Sequence, residues 1–141
     1  MESKQNNILI TGGTGFLGSN LVRKLYDRSN KITIFADIPS HMFLKGLKVK
    51  TIVGNVRDYK AVADAVKGND FVYHLAACSK NSADAKDEIF GVNEKGTENL
   101  SENITNLCND FETSFGKFEC LHGTGHGVMA YIDYDVPQAL T

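Results

Sequence analysis

The chain has 141 residues, with 42% apolar and 23% charged residues and a formal net charge of −2. That length gives one domain with a sizeable core. Acidic and basic residues are mixed, so no basic block points to nucleic acid and no like-charge arm to disorder. No apolar run reaches the ~18 residues that span a bilayer, and the polar start MESKQNN has no leader-like pattern. Cys78, Cys108 and Cys120 show no C-x-x-C spacing and read as reduced thiols of a cytoplasmic protein.

The first predicted element is a strand over 7–11, apolar on both faces as in the centre of a parallel sheet. It ends in Gly12-Gly13-Thr14-Gly15-Phe16-Leu17-Gly18. A helix from about Gly15 to Arg28 follows, with Leu17, Leu21 and Leu25 on its inward stripe and Val22 and Tyr26 beside it. The second strand is Lys31–Ala36, ending at Asp37, and Pro39 stops its continuation. The third is Val49–Val53, closed by Gly54-Asn55. A helix over 58–67 has Asp58 as N-cap and Gly68 just past its end. The fourth strand is Asp70–Leu75. A loop over 79–84 leads to a long helix, about Asp84 to Cys108, whose inward stripe is Val92, Lys95-Gly96, Asn99-Leu100, Asn103-Ile104 and Leu107. Strands alternating with helices predict a parallel, doubly wound α/β sheet of the dinucleotide-binding, Rossmann type.

Gly12, Gly15 and Gly18 form G-x-x-G-x-x-G between a strand and a helix. The first allows a sharp exit from the strand, the second a close approach to a pyrophosphate, the third tight packing of the helix. Asp37 follows Gly18 by 19 residues, at the end of the second strand. From there a carboxylate accepts hydrogen bonds from an adenosine ribose. Its charge repels a 2′-phosphate, and no Arg stands nearby in sequence, so the expected cofactor is NAD rather than NADP.

Four segments, TGGTGFLG (11–18), GNVRD (54–58), DFVYHLAA (70–77) and VNEKGTENL (92–100), stand in order over about two-thirds of the chain. Here the sequence resembles the N-terminal half of the NAD-dependent epimerase/dehydratase family, the extended short-chain dehydrogenases/reductases. The nearest branch is that of dihydroflavonol reductases and 3β-hydroxysteroid dehydrogenases. The resemblance implies that Thr14, Gly15, Phe16 and Leu17 cradle the pyrophosphate and that Asp37 holds the adenine ribose. Asn55 and Val56 would flank the adenine. The family usually has Asp where Asn55 stands, which implies a weaker contact to the adenine amino group or one through the amide oxygen. Leu75, Ala76 and Ala77 would line the nicotinamide side, and Asn93 would prop the backbone of the active site. The substrate class implied is a carbinol or carbonyl compound such as a nucleotide sugar, steroid or flavonol. Pairing through helices is common in the family, so a homodimer is a further expectation.

The family's acid–base pair, Tyr-x-x-x-Lys, is absent: Tyr131 is followed at i+4 by Asp135 and Tyr134 by Gln138. A degenerate reading would make Thr124 the hydroxyl and Tyr134 the phenol, but Pro137 would interrupt their helix. Without that pair, and without a substrate-binding half, this chain is not expected to turn over. Cys120, His122 and His126 give a C-x-H-x₃-H cluster that could bind zinc, although the interleaved Gly123, Gly125 and Gly127 oppose helical presentation. Two parts are therefore expected: a nucleotide-binding domain over 1–107 and a tail over 108–141 of unrelated origin. Two alternatives remain open beside the oxidoreductase reading, a non-catalytic dinucleotide sensor and a metal-binding protein acting through the tail.

Overall fold

A computed structural model describes residues 5–26, 30–39, 42–80, 85–110 and 112–114. Four strands form one parallel sheet: β1 (Asn7–Thr11), β2 (Lys31–Ala36), β3 (Lys50–Val53) and β4 (Phe71–His74). Their order across the sheet is β3-β2-β1-β4. The predicted class and strand sequence are therefore observed, with ends shifted by one residue at most. Position in the sheet explains composition. β1 and β2 are central and buried, whereas on the outer strands Val53 and Phe71 are exposed.

Register divides the side chains between two faces. Ile8 pairs with Ile32 and Ile10 with Ile34. These four join Val22, Ala36 and Leu44 in one buried cluster against α1 (Phe16–Tyr26), with Leu21, Leu25 and Tyr26 packed on it. On the other face, Thr11 is in register with Phe35 on one side and His74 on the other, and Phe35 with Ile52. Leu9 and Phe35, on this face, are fully buried.

One detail of α1 corrects the expected stripe. Gly18, Ser19 and Val22 are buried, whereas Leu17 is 66% exposed beside Phe16 at 78%. The i, i+4 repeat of leucines overstates the apolar face. The turn fixes Gly18 and Ser19 inward, and at 100° per residue that rotates Leu17 towards solvent.

α2 (Tyr59–Val66) starts as expected: Asp58 Oδ1 accepts the Ala61 N–H at 3.1 Å. Gly68 just beyond it has φ +76°. The last helical stretch is three pieces, α3 (Lys86–Phe90), a π-helical turn (Gly91–Lys95) and α4 (Gly96–Asn109). On α4, Gly96, Asn99, Leu100 and Asn103 are buried, while Lys95 before it is exposed. Asn99 is tolerated there because its Nδ2 donates to the Val56 carbonyl at 3.0 Å. A Cβ on Gly96 would lie 2.6 Å from Val56 Cγ2, so glycine sets that approach.

The chain divides into two units, Met1–Leu100 and Ser101–Thr141. The expectation of three reduced thiols fails at Cys108, which is disulfide-bonded; Cys78 is free. No spacing signal marks such a bond. Among the described residues, no helix is long and apolar enough to cross a membrane.

Candidate functional site

All four strands deliver their carboxyl ends to one open cleft of about 220 Å³. Gly12 and Thr14 follow β1, Asp37 follows β2, Gly54 to Arg57 follow β3, and Leu75 to Ala77 follow β4. Phe35, Ala36, Glu88 and Val92 complete the lining. In an open parallel sheet, the carboxyl edge where neighbouring connections diverge leaves such a crevice. Here that point lies between β1 and β4.

The glycine turn builds one wall. Gly12 has φ +68°, and a Cβ there would stand 2.6 Å from the Leu75 carbonyl and the Ala76 nitrogen. Its N–H donates to the Phe35 carbonyl at 3.0 Å, and its carbonyl accepts the Gly15 N–H at 3.0 Å. A Cβ on Gly18 would overlap that carbonyl oxygen and crowd Gly13 Cα at 2.8 Å. The third glycine therefore packs α1 on the turn itself. Gly15 is exposed, and a Cβ there would meet only the Gly12 oxygen, at 3.3 Å. The first intrahelical bond of α1 runs from Ser19 N to Gly15 O at 2.9 Å. The N–H groups of Phe16, Leu17 and Gly18 thus form the open positive end of the helix, and no acidic side chain occupies its first turn. This end suits a phosphate.

Of the residues expected at a cofactor, Gly12, Thr14, Asp37, Asn55, Val56, Leu75, Ala76 and Ala77 line the cleft together. Gly15, Phe16, Leu17, Gly18 and Asn93 do not line it. Asn93 instead grips the loop after β4: its Oδ1 accepts the Cys78 N–H at 2.7 Å and its Nδ2 donates to the Cys78 carbonyl at 3.1 Å. Thr124, Tyr134, Cys120, His122 and His126 lie outside the described residues. Among those described, no group of three His, Cys, Asp or Glu side chains could hold a metal.

Two points revise the sequence reading. Arg57, distant from Asp37 in sequence, lines the same cleft. Asn55 is also committed: its Oδ1 accepts from Arg57 N at 2.9 Å and from Arg57 Nε at 3.2 Å. Both partners are donors, which fixes the amide orientation and leaves its NH₂ group for other contacts. A contact to an adenine amino group through that oxygen would have to compete with both. Glu88, also in the lining, is held at 2.6 Å by Lys80 Nζ, and this bond raises the lysine's pKa.

Sequence reasoning missed a half-buried polar chain next to the cleft residues Leu75 and Ala76. Thr11 Oγ1 lies 2.6 Å from His74 Nδ1, and His74 Nε2 lies 3.1 Å from Thr97 Oγ1. A lone His in a strand-like run carries no motif, and its two partners are 63 and 23 positions away.

Comparison with known proteins agrees with this geometry. The family profile described as "NAD dependent epimerase/dehydratase family" matches residues 8–112. The chain is 39% identical over 95 residues to sterol demethylase protein B of Methylococcus capsulatus, covering 67% of this chain and 29% of that protein. It is 35% identical over 106 residues to a 3-beta-hydroxysteroid dehydrogenase of Mycolicibacterium neoaurum, covering 71% and 29%. Among solved structures, a short-chain dehydrogenase/reductase superfamily protein of Agrobacterium tumefaciens with bound NAD superposes with TM-score 0.64 at 30% identity, covering 71% and 29%. The chain thus spans under a third of the length of each. It belongs to the NAD-dependent epimerase/dehydratase family.

Proposed function

We propose that this chain binds NAD in the cleft and is the cofactor-holding portion of an oxidoreductase or epimerase. The substrate would be a carbinol or carbonyl compound, of steroid or nucleotide-sugar type. The observation that carries the reading is a cleft lined both by Asp37 and by Gly12 and Thr14, from the Cβ-excluding turn that leads into the open N-terminus of α1. Steroid and sterol proteins among the relatives support the steroid class. Several structural neighbours are described with bound NAD, one of them with UDP as well.

In this reading the N–H groups of Phe16, Leu17 and Gly18 hold the pyrophosphate, and Asp37 accepts from the ribose hydroxyls. Val56 and the Asn55 amide flank the adenine; Leu75, Ala76 and Ala77 form the wall against the nicotinamide. When bound, the nicotinamide supplies hydride transfer at its C4. Asn93 keeps the 75–78 loop in place through Cys78. The sequence contains no Tyr-x-x-x-Lys pair, so no side chain is assigned to move a proton and the chain alone is expected to bind without turnover. We further assign residues 1–107 to the nucleotide-binding domain, 108–141 to a separate tail, and the protein to the cytoplasm.

Calorimetric titration with NAD and NADP tests the cofactor assignment. NAD should bind more tightly. Asp37→Ala should weaken NAD by about 1–3 kcal/mol, the range for a lost hydrogen bond to a charged group. The variant should also narrow the preference over NADP, since the carboxylate that repels a 2′-phosphate is gone while Arg57 stays in the cleft lining. Unchanged NAD affinity in Asp37→Ala would remove the ribose assignment.

A further inference from the structure

The hydrogens of the half-buried Thr11–His74–Thr97 chain can be assigned from its partners. Thr97 Oγ1 donates its one hydrogen to the Asn93 carbonyl at 2.6 Å. Towards His74 Nε2, at 3.1 Å, it can then only accept, so Nε2 carries the imidazole proton. In the neutral ring Nδ1 is bare and accepts the Thr11 hydroxyl at 2.6 Å. Thr11 Oγ1 in turn receives the N–H of Ala76 at 3.3 Å and shares that of Leu75, at 3.2 Å, with its own backbone carbonyl at 3.1 Å. Each hydroxyl both gives and receives, so the half-buried network is satisfied. Leu75 and Ala76 are also the backbone that meets Gly12 and forms one wall of the cleft.

We infer that His74 is a positioning residue of the cleft, working as a neutral imidazole pin. It ties the Leu75-Ala76 wall, through Thr11, to the Asn93–Thr97 segment, and a proton on Nδ1 releases it. The added proton would point at Thr11 Oγ1, which then loses its own acceptor while two N–H groups already occupy it. The wall loosens, and a dinucleotide seated against it is held less well. This consequence for binding rests on the cleft being the NAD site; the proton order of the pin does not.

The surroundings keep the imidazole neutral through burial, which lowers its pKa from the ordinary histidine value. β1 carries no titratable side chain. On the helical side Glu94 is exposed, and Lys95 pairs with Glu98 at 2.7 Å in solvent. Asp70 and Tyr73 precede His74 and Cys78 follows it, and none of these groups contributes to the shift. With the folded value below the unfolded one, the unfolded state binds the extra proton first. The pin's contribution is therefore full above the unfolded value and is lost as pH falls through the folded one.

The test has two arms, run on the full chain. Nitrogen NMR of the imidazole should show the Nε2–H tautomer for His74, and Thr97→Val, which removes the acceptor of that proton, should shift the resonance towards a tautomer mixture. A Nδ1–H tautomer, or no response to Thr97→Val, would overturn the pin whether or not NAD binds. In the second arm NAD affinity is measured between about pH 5 and pH 8, the range of histidine titration. Affinity should fall roughly three- to tenfold on the acid side, as for one weakened hydrogen bond. His74→Asn keeps an acceptor for Thr11 but does not titrate, and should flatten that profile. An equal acid fall in both proteins would overturn the inference. Should NAD bind at no pH, the proposed function fails, and the pin is judged by the tautomer and by the acid dependence of unfolding in wild type against His74→Asn.

Discussion

Gly12→Ala is expected to remove a large share of the protein's stability. The residue sits at φ +68°, where an L side chain costs roughly 1–2 kcal/mol from backbone strain alone. The new Cβ would also stand 2.6 Å from the Leu75 carbonyl and from Ala76 N, atoms of a backbone held by the pairing of β4 with β1. Neither side can yield without pulling β4 away from β1. The combined loss should be on the order of 3–5 kcal/mol, against a total stability of about 5–15 kcal/mol for an ordinary domain. Gly46 provides the control, since it has φ +88° and nothing within 4 Å of an added Cβ. Gly46→Ala should show the strain alone. Urea unfolding of the two variants measures the difference, and equal losses would show that the close approach of the turn to β4 is not a constraint.

Phe35→Ala should have an effect of similar size through packing. Phe35 is 1% exposed, on the sheet face in register with Thr11 and Ile52, and its ring forms part of the cleft. Truncating a buried phenylalanine costs about 3–5 kcal/mol, from lost transfer energy and the cavity left behind. The same ring explains Gly54, where a Cβ would come within 2.6 Å of Phe35 Cε2. Gly54→Ala is therefore destabilising in the wild-type background and should be much less so beside Phe35→Ala, which makes the room it needs. The coupling should fall between about 0.5 and 3 kcal/mol. Strict additivity in denaturant unfolding would show that the ring and the glycine do not share that space.

The order of strands and helices was legible because each apolar run ends in a residue with one structural use: Gly12 after β1, Asp37 after β2, Gly54 after β3. Asp58 announced α2 for the same reason, a carboxylate three residues ahead of an amide that lacks a partner. Leu17 misled, because a leucine repeat in α1 looks the same whether or not a preceding glycine turn has already fixed the helix rotation. Arg57 was hidden by its place past a turn, where spacing says nothing about which side chains reach the cleft. The His74 pin was out of reach for another reason. It joins β1, β4 and α4, and only the register of the sheet brings Thr11 and His74 level. Asn99 can sit in the inward stripe of α4 because the Val56 carbonyl accepts from its amide.

The central claim, that a pyrophosphate rests on the N-terminus of α1 with the dinucleotide along the strand ends, is tested most directly by amide NMR of the labelled chain titrated with NAD. The expected result is saturable shifts at Phe16, Leu17 and Gly18, together with Asp37, Asn55 and Ala76. Shifts absent from the first turn of α1, or confined to residues away from the strand ends, would contradict it.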